Sequence, residues 1–112
     1  MAIKEDAGKV LLFIYQSYIK DESINAEGLL QNTKWDGSRI DRAIQHLKNI
    51  DAIDIKFILG DVDGLRNFLF EKVTPNGTGM IEDKRKFKQS FGFGVNISSN
   101  PSLNINWSVS EK

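Results

Sequence analysis

Cysteine is absent from this chain of 112 residues, and histidine occurs once, at His46. Without cysteine the chain has no disulfide framework and no thiolate metal site, which fits a reducing compartment. A zinc site would need further nitrogen or sulfur ligands beside His46, and a catalytic triad would need a serine in an activating context that nothing in the sequence marks. The sequence therefore predicts no metal, no cofactor and no enzymatic activity.

An excess of one charge is also lacking, because 15 basic side chains balance 15 acidic ones. A nucleic-acid-binding protein usually carries a basic excess, so any such role has to depend on local charge. Long apolar runs are missing too. The run from Val10 to Tyr15 is too short to cross a bilayer, and the acidic residues soon after Met1 do not suit a secretory signal. We therefore expect a cytoplasmic protein that does not enter a membrane.

The residues that are present suit one ordinary domain, with 40% hydrophobic and 27% charged side chains. Helical spacing of apolar residues predicts a first helix over about residues 5–20, a short second helix that Ser23 or Asn25 caps, and a third helix over about residues 36–49. The inward stripe of the third helix consists of Ile40, Ala43, Ile44 and Leu47.

After the third helix the period of the apolar pattern changes from 3.6 to 2, which predicts a β-hairpin. Its strands run from Ile53 to Leu59 and from Leu65 to Val73, around a turn at residues 60–64. Helical spacing resumes between Met80 and Phe87 and predicts a single fourth helix.

Residues 91–109 again alternate between apolar and polar side chains, and every apolar residue among them has an odd number. This pattern predicts a second hairpin with one wholly apolar face, which either the first helix or a second copy of the chain must cover. We therefore divide the chain into residues 1–89 and a C-terminal extension, residues 90–112. The candidate dimer interface on that extension is Phe91, Phe93, Val95, Ile97, Leu103, Ile105, Trp107 and Val109.

The order of three helices, a hairpin and a further helix resembles the winged helix-turn-helix superfamily, over about residues 3–89. The segment from Val73 to Glu82, with Thr74, Pro75 and Gly77, is similar to the strand-to-helix junction of many such regulators. The resemblance implies an α+β fold with a three-helix core, a β-hairpin wing and a fourth helix, to which this chain adds its C-terminal amphipathic β-hairpin. It also implies DNA binding by the third helix, often in a dimer, although some members bind only proteins.

The outward side of the third helix carries polar side chains of the types that contact DNA. We expect Ser38, Arg42, Gln45 and Asn49 to face bases, and Lys34, Arg39 and Lys48 to contact phosphates. The leading hypothesis is therefore a homodimeric transcriptional regulator that binds double-stranded DNA.

Two features favour a different class, a protein-interaction or self-association module that binds no nucleic acid. The net charge is zero, and the hairpin turn carries Asp61 and Asp63, where a DNA-binding wing usually presents basic residues. Both hypotheses remain open at the level of sequence.

Overall fold

The computed structural model describes residues 3–94. They form three helices, a two-stranded antiparallel hairpin and two further helices, so the predicted α+β class is confirmed. The elements are α1 (Ile3–Ile19), α2 (Ala26–Thr33), α3 (Gly37–Asn49), β1 (Ile53–Val62), β2 (Leu65–Val73), α4 (Pro75–Glu82) and α5 (Lys84–Phe91).

The centre of the core lies between α1 and α3, which pack together along the apolar stripes that the spacing predicts. Fully buried residues of α1 include Val10, Leu11 and Ile14. The whole predicted stripe of α3 is also fully buried: Ile40, Ala43, Ile44 and Leu47. The inward orientation of α3 is therefore confirmed, and its polar side is turned away from the core.

The connection between α2 and α3 is short and is shaped by local hydrogen bonds. Of the two predicted caps of α2, the structure uses Asn25, whose Oδ1 accepts a hydrogen bond from Gly28 N at 2.8 Å. The helix ends at Lys34, which adopts a left-handed conformation with φ of 60°. Asp36 occupies the N-cap position of α3 as predicted, but it caps the helix without a side-chain hydrogen bond.

The hairpin is longer than predicted, because its ladder continues past a bulge. Phe57 pairs with Phe68 and Asp61 pairs with Arg66, so residues 58–60 of β1 lie opposite the single residue 67 of β2. The bulge includes Gly60, which has φ of 98° and was predicted to lie in the turn. The turn itself is reduced to Asp63 and Gly64, both with positive φ as tight hairpin turns require.

Two helices follow the hairpin, so the prediction of a single fourth helix was wrong. Thr74 caps α4 by accepting a hydrogen bond from Gly77 N, and Pro75 starts the helix. Asp83 then ends it, because its Oδ1 accepts hydrogen bonds from Arg85 N and Lys86 N and so caps α5 instead. An aspartate side chain that bonds to the backbone two and three residues ahead competes with a continuous helix.

The prediction that Phe91 begins a strand was also wrong. Phe91 lies in the last turn of α5, four residues after Phe87, and Gly92 ends the helix with φ of 83°. Phe87 and Phe91 are fully buried, and the ring of Phe93 lies 5.2 Å from that of Phe87. Phe91 and Phe93 therefore pack within their own chain. The rest of the candidate dimer interface, Val95, Ile97, Leu103, Ile105, Trp107 and Val109, lies outside the described residues.

Two glycines of α4 differ in the space around them, which gives a matched test of this packing. A Cβ at Gly77 would collide with the carbonyl oxygen of Ala52, whereas a Cβ at Gly79 would have no atom within 4 Å. We expect Gly77→Ala to lower the free energy of unfolding by about 1–3 kcal/mol through overpacking. Gly79→Ala should leave it unchanged or raise it by up to about 1 kcal/mol, as alanine favours helix. Urea unfolding followed by circular dichroism measures both, and equal midpoints for the two variants would contradict the proposed contact.

Candidate nucleic-acid interface

The outward surface of α3 brings most of the predicted contact residues to one side of the molecule. Ser38, Arg42, Lys48 and Asn49 are exposed along the helix, and Lys34 is exposed in the turn that precedes it. Gln45 is partly buried between this row and the hairpin. The described part of the chain therefore presents a continuous polar surface here, with a fully buried stripe behind it.

Arg39 has a different environment from the other predicted residues. Its Nε and Nη2 donate hydrogen bonds to Asp6 Oδ2 and Oδ1 at 2.8 and 2.9 Å, and its guanidinium lies 3.9 Å from the centre of the Trp35 ring. Only 19% of the Arg39 side chain and 4% of the Asp6 side chain are exposed. Arg39 thus joins α3 to α1, and its largely buried guanidinium is less accessible to a phosphate than the exposed side chains of this surface.

A second bidentate pair joins α3 to the hairpin. Arg66 donates from Nε to Asp41 Oδ1 and from Nη2 to Asp41 Oδ2, both at 3.0 Å, and its backbone N–H also donates to Asp41 Oδ1 at 3.1 Å. The guanidinium lies 3.9 Å from the centre of the Phe57 ring. The hairpin is therefore attached to the same helix that carries the candidate contact residues.

The hydrogen bonds of Arg66 continue along the outward surface of α3. Its Nη2 also donates to Gln45 Oε1 at 2.9 Å, and Gln45 Nε2 donates to Asn49 Oδ1 at 3.0 Å. This series of hydrogen bonds orients the side-chain amides of Gln45 and Asn49, two of the predicted base-contacting residues, before any ligand binds. These hydrogen bonds could not be predicted from the sequence, because no local spacing signal connects Asp41 with Arg66, 25 positions away.

The ion pair between Asp41 and Arg66 also shifts the pKa of both side chains. Burial opposes ionisation of Asp41, but hydrogen bonds from Arg66 and the charges of Arg66 and Arg42 outweigh that effect and lower the pKa of the carboxyl. The hydrogen bond to Asp41 in turn raises the pKa of Arg66. Both groups are charged at neutral pH, so Asp41 offsets part of the positive charge beside α3.

The hairpin turn closes over the N-terminal end of α3. A Cβ at Gly37 would collide with the carbonyl oxygen of Asp63, and one at Gly64 would lie 3.3 Å from Ser38 N. Asp63 lies at this end and is exposed, while Asp61, which is also exposed, pairs with Arg66 in the ladder of the hairpin. The part of α3 from Arg42 to Asn49 lies further along the helix from Gly37, where the turn makes its contact.

Other kinds of site find little support among residues 3–94. No group of three or more histidine, cysteine, aspartate or glutamate side chains there is placed to hold a metal ion, and His46 is partly buried on α3. None of the described helices combines the length and apolar character that spanning a bilayer demands.

Comparison with known proteins gives no independent indication of function. No family model, curated protein or solved structure matches this chain. The surface formed by α3 and the hairpin is therefore the basis for a functional proposal.

The two arginines of α3 should differ sharply in their effect on stability. Replacement of Arg39 by alanine leaves the carboxylate of Asp6 buried without its partner, which costs about 3–5 kcal/mol for a buried pair. Replacement of Arg42, which is exposed, should change the free energy of unfolding by about 0.5 kcal/mol or less. Urea denaturation of both variants makes the comparison, and similar losses for the two would show that the Asp6 pair is not structural.

The Asp41–Arg66 pair should stabilise the fold in a pH-dependent way. Because folding lowers the pKa of Asp41, the ionised carboxyl adds to the free energy of unfolding. This contribution is fully present above the unfolded pKa of about 3.9 and is lost as the pH falls through the pKa of the folded state. A double-mutant cycle with Asp41→Asn and Arg66→Gln should give a coupling of about 1 kcal/mol or less at pH 7. That coupling should weaken as the pH falls through the lowered pKa of Asp41 and the carboxyl becomes protonated; a coupling that stays constant from pH 7 to the lowest pH at which the protein is folded would contradict the assignment.

Proposed function

We propose that this chain binds double-stranded DNA through the outward surface of α3 and acts as a homodimeric transcriptional regulator of the winged helix-turn-helix kind. The observation that carries the proposal is the exposed polar row of α3 on a rigid support. Arg42 and Asn49 are exposed, while the stripe behind them is fully buried. A helix held in this way presents its side chains in fixed positions, as reading of a major groove requires.

The order and spacing of the elements support this assignment. α2 and α3 are separated only by residues 34–36, and the hairpin follows α3 directly and stays attached to it through Arg66. In the helix-turn-helix arrangement the second of two such helices enters the major groove. The third helix of this chain, α3, takes that place.

Four of the predicted contact residues have side chains and positions that suit a particular part of DNA. Arg42 is suited to guanine, and Asn49 can donate to a base from its amide nitrogen while its oxygen accepts from Gln45. Lys34 and Lys48, which are exposed at the two ends of α3, suit phosphates. Arg39 is left out of this set, because its guanidinium is bound to Asp6.

The carboxylates of the hairpin turn constrain how DNA would lie. Asp61 and Asp63 repel phosphates, and the turn that carries Asp63 lies beside the N-terminal end of α3. We therefore place the duplex toward the section of α3 from Arg42 to Asn49.

Electrophoretic mobility shift with a pool of randomised duplexes, at about 50 mM salt, tests the proposal. Arg42→Ala should weaken binding to the selected sequence by about 5- to 150-fold, because a bidentate arginine–guanine contact contributes that much discrimination. Lys48→Ala should weaken binding to all sequences alike and reduce the slope of log affinity against log salt by about one.

The matched control is Lys20→Ala, which removes an exposed lysine that follows α1. It should bind duplex as well as the unaltered chain. Failure of the unaltered chain to retard any duplex at this salt, or full binding by Arg42→Ala, would show that α3 is not a DNA-reading helix.

A protein-interaction module without nucleic-acid binding is the second candidate. The hairpin favours it, because Leu59 is almost fully exposed close to the carboxylates of Asp61 and Asp63. A chain that retards no duplex, but whose hairpin variants alter its association with protein, would belong to this class.

A further inference from the structure

The bulge of β1 pushes apolar side chains into solvent. Between the pairs Phe57–Phe68 and Asp61–Arg66, the extra residues of β1 leave Leu59 97% exposed and Ile58 44% exposed. Leu69 of β2, which lies opposite Lys56, is 55% exposed. Single exposed apolar residues are ordinary, but several on one small element indicate a contact surface.

The charge around the bulge restricts what this surface can contact. Residues 58–64, which we call the hairpin tip, contain two exposed carboxylates, Asp61 and Asp63, and no basic side chain. Phosphates of DNA and anionic lipid head groups would be repelled, and so would the tip of a second copy. A suitable partner surface is basic and offers some apolar area.

α5 provides such a surface on the same chain. Its sequence contains no acidic residue, and its four basic side chains, Lys84, Arg85, Lys86 and Lys88, are all exposed. Three of them lie in the first turn, where the helix dipole favours acidic residues and disfavours bases by about 0.3–1 kcal/mol each. Helix stability therefore does not account for this cluster. The methylene stems of lysine and arginine also supply apolar area next to their charges.

We propose that two copies of this chain associate reciprocally, with the hairpin tip of each copy seated on the basic surface of α5 of the other. Asp61 and Asp63 pair with the α5 bases, and Leu59 packs against their stems. In this arrangement each copy gives one tip and receives one about a two-fold axis, which limits the assembly to two copies. The proposal does not depend on whether the chain binds DNA.

Two charge variants and their mixture test the reciprocal contact by sedimentation velocity. In the tip variant, Asp61→Lys with Asp63→Asn changes the tip from two negative charges to one positive; asparagine tolerates the positive φ of position 63. In the α5 variant, glutamate at positions 84, 86 and 88 changes four positive charges to a net of two negative, and acidic residues suit the first turn. Circular dichroism checks that both remain folded.

Each variant alone should sediment as a monomer at concentrations where the unaltered chain forms pairs, because in a pair of identical variants the tip and α5 carry charge of the same sign. The equimolar mixture should form pairs again. In a mixed pair, one contact joins an unaltered tip to an unaltered α5, and the other joins the positive tip of one variant to the negative α5 of the other. An unaltered chain that stays monomeric, or a mixture that stays monomeric while the unaltered chain pairs, overturns the proposal.

The apolar part of the contact has its own variant. Leu59→Ser should weaken pairing by about tenfold or more, since a leucine that becomes buried loses its contact with water. Ile19→Ser, which alters an exposed apolar residue at the end of α1, should leave pairing unchanged. Association that survives the tip variant, the α5 variant and Leu59→Ser has its origin elsewhere in the chain and overturns the proposal.

Discussion

The contact between α1 and α3 is the interaction on which the rest of this molecule depends. Fully buried aliphatic residues form most of it, and the ion pair of Asp6 with Arg39 closes it near the N-terminal end of α3. Burial of aliphatic surface holds the two helices together without fixing one angular setting, whereas a bidentate pair has strict geometry. Together they determine which side of α3 faces outward.

The hairpin takes its position from α3 rather than from the core alone. It contacts the helix at two places: Arg66 binds Asp41 in the middle of α3, and the turn at Asp63 lies against Gly37 at its start. Both contacts need specific residues, a carboxylate on an outward turn of the helix and a glycine with no side chain to collide. The hairpin and α3 therefore form one surface, and the two functional candidates both use it.

Much of this fold follows from apolar periodicity, and the remainder depends on contacts that periodicity does not describe. The stripe from Ile40 to Leu47 predicts the orientation of α3 because helical spacing and burial are linked directly. The break between α4 and α5 was missed because it depends on a single side chain, that of Asp83, which caps a new helix at a point where the apolar spacing predicted a continuous one. Phe91 was wrongly assigned to a strand because its position fits two patterns. It lies four residues after Phe87, as in a helix, and two residues before Phe93, as in a strand.

The candidate site divides in the same way. The outward placement of Arg42 and Asn49 could be predicted, since it is the complement of the buried stripe. The ion pairs of Arg39 and Arg66 could not, because their partners are 33 and 25 positions away and no local pattern joins them. Sequence reasoning can therefore indicate a surface, while the availability of each charge on it depends on tertiary structure.

The bulge at residues 58–60 also changes the edge that β1 presents to other strands. A two-stranded sheet has both edges open, and an apolar, regular edge is a template for endless addition of further strands. Here the ladder is interrupted where Leu59 is most exposed, and Gly60 turns the backbone with φ of 98°. The bulge therefore disfavours continuous hydrogen bonding of a further strand to β1 past Phe57, next to the exposed side chain of Leu59.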